Sequence, residues 1–151
     1  MNAYTSLLLC LLALVIGALI PAQAAANAAL SRAVGGIAFS SLVLFGVALM
    51  TVSIFALVTH PSAPNMSSFA AAPAFGYVGG LIVASYVLAI TYLAPRLGVG
   101  TAIAFVVTGQ ILSSALIDHY GLLNSNVHPL DARRLLGIVL LIAGAFLAKK
   151  T

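Results

Sequence analysis

The sequence predicts an all-α, polytopic membrane protein of five transmembrane helices, and three observations carry that prediction. Of its 151 residues, 63% are hydrophobic and only 5% charged, whereas a soluble domain has about 25% charged residues. Its apolar runs are long enough to cross a bilayer, which takes about 20 residues as a helix. At roughly 25 to 30 residues per span and connection, 151 residues hold about five spans and leave no room for a soluble domain. The expected helices cover residues 4–33, 37–58, 73–94, 101–122 and 131–149, within one transmembrane domain over 1–151.

The first helix runs from Tyr4 through a leucine-rich stretch to Ala33. Residues 4–24 also have the shape of a cleavable signal, with small residues around Ala24. The leader before them has no basic residue and the rest of the chain is itself polytopic, so a retained helix is preferred. Pro21 removes one backbone bond and predicts a bend. Gln23 and Asn27 lie four apart, so both point to one side. Cys10, in the leucine run, reads as a small apolar packing residue.

Gly35 and Gly36 break that helix, and the second follows over 37–58. Its Ser40, Ser41, Thr51 and Ser53 are expected to bond back to helix carbonyls as plain packing. Residues 59–73, rich in Pro, Ser and Asn, read as the longest loop, with His60 solvated or interfacial. Pro73 suits the first turn of the third helix. The connection over 94–101 is very short, so the third and fourth helices are antiparallel neighbours.

The fourth helix is the most informative. At helical spacing Gln110, Ser114 and Asp118 fall on one face of an otherwise apolar span. In hydrocarbon each such group needs a partner or a water-filled cavity. Counted from Thr101 at about 1.5 Å per residue, Gln110 lies near mid-membrane and Asp118 about 10 Å beyond it. Arg133 and Arg134 start the fifth helix at that same end, and Asp131 is placed to cap it. An interfacial ion pair of Asp118 with Arg133 or Arg134 is preferred over a proton-coupling role, which stays open. Gly137 and Gly144 give the fifth helix a small-residue face, suited to intrachain packing or a subunit interface alike.

Several classes drop out. The charge of +4 and pI near 9.7 would suggest nucleic acid in a soluble chain. Here the basic residues stand at helix ends, as topology signals and contacts to membrane lipid. No metal-ligand spacing, catalytic cluster or cofactor motif appears, so no metal, no cofactor and no enzyme is expected. The chain has no glutamate, and its only acids are Asp118 and Asp131. Small multidrug-resistance pumps, similar in size, depend on an acid deep in helix one; that type of cation exchanger is disfavoured.

Two blocks carry a family resemblance. The first is GALIPAQAAANAAL from Gly17, with its G-x-x-x-P-x-Q-x-x-x-N spacing. The second is APRLGVGTAIAFVVTGQILSSALIDHYGLL from Ala94 with RLLGIVLLIAGAFL from Arg134, including Gly109-Gln110 and the acid-His-aromatic-Gly run at 118–121. The chain thus resembles, over nearly its whole length, the five-helix YdcZ-like branch of the drug/metabolite transporter superfamily, exporters of the bacterial inner membrane. That resemblance implies small-molecule transport by half of a ten-helix inverted-repeat transporter. Candidate substrate-binding residues are Gln23, Asn27, Gln110 and Ser114; Gln23 and Asn27 are equally suited to holding helices together. The single repeat unit needs a second, from an antiparallel homodimer or an oppositely oriented paralogue. Arg32, Arg96, Lys149 and Lys150 fall on one face and Arg133 and Arg134 on the other, a small bias that puts the N-terminus outside. The competing class is a non-transporting membrane subunit for assembly or regulation.

Overall fold

A computed structural model describes residues 2–59 and 65–147, which are built from helices and turns without strands. His60, Lys149 and Lys150 lie outside the described residues. Helix α1 spans Ala3–Ala33; Asn2 caps it, its side chain accepting the Thr5 N–H at 2.9 Å. The helix continues through Pro21, whose missing N–H leaves the Gly17 carbonyl without its usual partner one turn back. Its end has a glycine cap: Gly35 takes φ +78°, and the Gly36 N–H reaches the Ser31 carbonyl at 3.0 Å.

Helix α2, Ile37–Thr59, returns antiparallel to α1 with most of its side chains exposed. Exposed leucine, valine and phenylalanine on such a helix are what contact with acyl chains demands. Ser40, Thr51 and Thr59 hydroxyls bond back to carbonyls of their own helix. Ser41 departs from the packing expectation, because its buried hydroxyl has no partner.

The described part of the expected long loop contains a short helix, α3 (Met66–Ala70). Pro73 precedes a 3-10 turn over Ala74–Tyr77, and regular helix α4 begins at Val78. The Tyr77 hydroxyl ties this turn to the Phe69 carbonyl at 2.7 Å. Helix α4 runs on to Leu97, past Pro95, where the sequence suggested a stop at Ala94. Arg96 steadies that last turn: its Nη1 donates to the Tyr92 carbonyl at 2.8 Å and its guanidinium lies 3.5 Å from the Tyr92 ring centroid. The connection to α5 (Val99–Tyr120) shrinks to Gly98, at φ +84°.

Helix α5 ends on Gly121 at φ +62°, and after a coiled loop α6 covers Ala132–Leu147. Asp131 caps α6 through Oδ1, which accepts the Arg134 N–H at 2.7 Å. By length and composition, α1, α2, α4 with its leading 3-10 turn, and α5 suffice to cross a membrane. The 16 described residues of α6 reach about 24 Å at 1.5 Å each.

Helix α4 is the hub, packed against α1, α2 and α5, while α6 lies on α5. The core there is small: Ala24, Ile90 and Ala102 are buried, flanked by Tyr86, Leu93, Ile103 and Val106. Alanines let the backbones come close, and dispersion between close helices replaces the hydrophobic drive that lipid does not supply.

Candidate functional site

Polar side chains inside this bundle gather along α1. Asn27 is 3% exposed and its Nδ2 donates to Thr91 Oγ1 on α4 at 2.6 Å. The Thr91 hydroxyl gives its own proton to the Val87 carbonyl at 2.7 Å. Thr91 therefore accepts from Asn27, and Asn27 must turn its NH2 toward α4. Its Oδ1 is left buried and unpartnered, as is Gln23 Nε2 one turn earlier. Together with Ser41 Oγ these are the buried side-chain polar atoms without a partner among the described residues. An amide left so in hydrocarbon costs about 1 to 3 kcal/mol, so a fold that keeps them has a use for them or a cost to offset.

Gln23 and Asn27 line an open cleft between α1 and α2 of about 280 Å³, with Ala26, Leu30, Val43, Leu44 and Val47. Gln110 lies elsewhere. It borders a more enclosed cavity of about 190 Å³ between α1, α4 and α5, with Gly17, Ile20, Tyr86 and Val106. Gly17, whose carbonyl Pro21 leaves free, lines this cavity together with Gln110, which is itself exposed. Ser114 is exposed, and its hydroxyl donates to the Ile111 carbonyl at 2.9 Å. The four candidate residues are thus not one pocket: Gln23 and Asn27 share the cleft, Gln110 borders the other cavity, and Ser114 lines neither. Six residues of α1 separate Gly17 from Gln23, about 9 Å along the axis.

The far end of α5 is a knot of loop contacts. Arg134 Nη2 meets Asp118 Oδ2 at 2.5 Å, with each side chain about one-third exposed at 33% and 31%. Arg133 is exposed. His119 Nδ1 accepts the Leu130 N–H at 3.0 Å, which requires that nitrogen to be unprotonated. The Asp118 carbonyl accepts the His128 N–H at 2.8 Å, and the Ser125 hydroxyl reaches the Ile117 carbonyl at 3.2 Å. Each residue of the acid-His-aromatic-Gly run but Tyr120 has a place here, with Gly121 making the turn. His119 and Tyr120 themselves pack edge to face at 4.7 Å.

Two contributors escaped the sequence reading. Thr91 was hidden because a threonine in an apolar span so often serves its own helix. Ser41 was read as ordinary packing for the same reason. The available signal was position: Thr91 follows Val87 by four, on the face that Ile90 and Ala94 bury.

Four described helices long and apolar enough to cross a bilayer define a multi-pass membrane protein. The family model described as "Putative inner membrane exporter, YdcZ" matches residues 8–147, and the chain belongs to that family. It is therefore a multi-pass protein of the inner membrane, in a family of transporters. Searches of curated proteins and of solved structures found no match.

Proposed function

We propose that this chain is one half of a solute exporter, a five-span unit that works by alternating access with a second unit of opposite orientation. The observation that carries the reading is the pair of polar stations along α1. One is Gln110, exposed at the edge of the small cavity that Gly17 also lines; the other is Gln23 and Asn27 in the α1–α2 cleft. Groups of this kind at membrane depth mark substrate paths. Pro21 between them frees a backbone acceptor, the role that interrupted helices have at transporter sites. Ser114 lies one turn beyond Gln110 and extends the α5 station toward the partner unit.

On this reading α6 continues past Leu147 to complete the fifth span. The partner is a second, inverted copy of this chain or an oppositely oriented paralogue, and the exposed faces of α1 and α5 turn toward it. Asp118 and Arg134 act as a clamp between α5 and α6 rather than as a proton relay, since each has a partner and lies by the loop. Arg133 is left to head groups.

The test is a solute-tolerance and uptake screen comparing a deletion strain with an overexpressing one, followed by flux of each hit in liposomes. Flux that needs this protein and needs Gln110 supports the reading. A protein that inserts, assembles and moves none of the solutes found by the screen overturns it in favour of an assembly or regulatory subunit.

A further inference from the structure

We propose that His119 is a pH-sensitive latch on the loop between α5 and α6: a proton on its Nδ1 releases Leu130 and loosens the leading end of α6. The latch is independent of the transport reading and rests on three observations at the far end of α5.

The first is the sense of one hydrogen bond. The Leu130 N–H donates to His119 Nδ1 at 3.0 Å, and a backbone N–H can only donate. The bond therefore fixes both ring orientation and tautomer, with the lone pair on Nδ1 and the hydrogen on Nε2. A second proton has only Nδ1 to go to. There it sets a donor against a donor, so the bond is lost rather than weakened. Imidazole suits this task, because it is the side chain that ordinarily changes charge between about pH 5 and pH 8.

The second is what the bond holds. Earlier in the loop, the Ser125 hydroxyl reaches the Ile117 carbonyl and the His128 N–H reaches the Asp118 carbonyl. Pro129 has no N–H to give. Among the described residues Leu130 thus makes the last hydrogen bond from loop to α5 before Asp131 caps α6. Once freed, its N–H needs water, and the loop must lift to admit it.

The third is the surroundings. His119 is half-buried, edge to face with Tyr120, and so keeps access to water. Asp118 is already taken up by Arg134, and Asp131 by the α6 cap. The His128 and Arg133 side chains are exposed. Counted from Gly98, Tyr77 before α4 stands as far back as His119 stands forward, and its hydroxyl is given to Phe69. On α1, Cys10 and Tyr4 are exposed. No neighbour offers the Leu130 N–H a substitute acceptor.

The experiment follows His119 and Leu130 by nitrogen-15 NMR in full-length protein in lipid nanodiscs, titrated from about pH 8 to pH 5. At the alkaline end the His119 ring is expected to carry hydrogen on Nε2 and none on Nδ1. On acidification the Leu130 amide is expected to shift with the same midpoint as the ring nitrogens. Its hydrogen-exchange protection, corrected for the intrinsic rate at each pH, is expected to fall by about tenfold, as for loss of one hydrogen bond. The Leu135 amide, whose 3.0 Å bond to the Asp131 carbonyl begins α6, is expected to lose protection with it. His119→Gln, which does not titrate, is expected to make both amides indifferent to pH, whereas His128→Gln and Asp118→Asn leave the response in place. If His119→Gln does not fold, the match of midpoints in the wild-type protein decides. A Leu130 amide that ignores the titration of His119, a response that persists in His119→Gln, or a ring that takes up no proton over this range each overturns the proposal. A response at Leu130 with none at Leu135 overturns the link to α6.

Discussion

Asn27 and Thr91 hold α1 to α4 by a side-chain hydrogen bond of 2.6 Å across a separation of 64 residues. The bond lies among Ala24, Ala28, Ile90 and Ala94, all of them buried. It is thus a structural contact on one end of the Asn27 amide, with a buried, unpaired acceptor on the other. Any account of α1 has to serve both ends.

Thr91→Val, which keeps the shape and removes the acceptor, should destabilise the protein by about 1 to 2 kcal/mol, the upper range for interhelical hydrogen bonds in membranes. Thr91→Ser should stay close to wild type. Reversible denaturation in mixed detergent micelles measures both, and a Thr91→Val protein as stable as wild type would show that the bond contributes nothing.

Gln110→Leu should abolish transport while leaving insertion and helicity unchanged, because leucine suits helix and lipid alike. Flux in liposomes, normalised to inserted protein, is the measurement. Wild-type flux in this variant would remove Gln110 from the path.

Asp118→Asn and Arg134→Gln should each lower stability by under about 1 kcal/mol, as expected for a pair partly open to solvent, and leave any pH dependence of transport in place. Arg133→Gln should change stability least of the three. Transport that no longer follows the proton gradient in Asp118→Asn would instead make Asp118 the coupling residue.

Gly35 and Gly121 both sit at positive φ, but their surroundings differ. A Cβ at Gly35 meets nothing within 4 Å, whereas one at Gly121 lies 2.8 Å from Val127 Cγ2. Gly35→Ala should therefore cost about 1 kcal/mol for the left-handed backbone alone. Gly121→Ala should cost about 1 to 3 kcal/mol more through the clash, with part recovered in the Val127→Ala double variant. Thermal unfolding of the set tests the ordering; equal losses at the two glycines would refute it.

A cysteine at Thr151 in a Cys10→Ala background reports orientation in intact cells. Partial labelling from outside is the outcome expected of a homodimer whose units insert both ways. Absence of labelling would point to an oppositely oriented paralogue, and a functional single subunit in liposomes would end the paired arrangement.

The sequence made the membrane class and the glycine breaks legible, because apolar run length and glycine pairs are local signals. Gly35 and Gly36 end α1 as their pattern suggests, and Asp131 caps α6. Pro95 misled, since a proline usually closes a helix; here Arg96 secures the last turn and Gly98 alone makes the corner. The candidate residues were visible as polar letters in apolar text, but their grouping was not. Periodicity gives the face of one helix, and only the packing of α1 against α2, α4 and α5 decides that Gln23 and Gln110 look into different spaces. Ser41 and Thr91 illustrate the same limit: one hydroxyl serves its own helix and another's amide, and the other serves neither.

Gly98 has a mechanical consequence. With a single residue between α4 and α5 there is no slack, so neither helix slides along its axis without dragging the other. The pair moves as one lever. On the transport reading proposed above, rearrangement falls on the seam between that lever and α1, where Ala24 is buried and the Asn27–Thr91 bond would have to open.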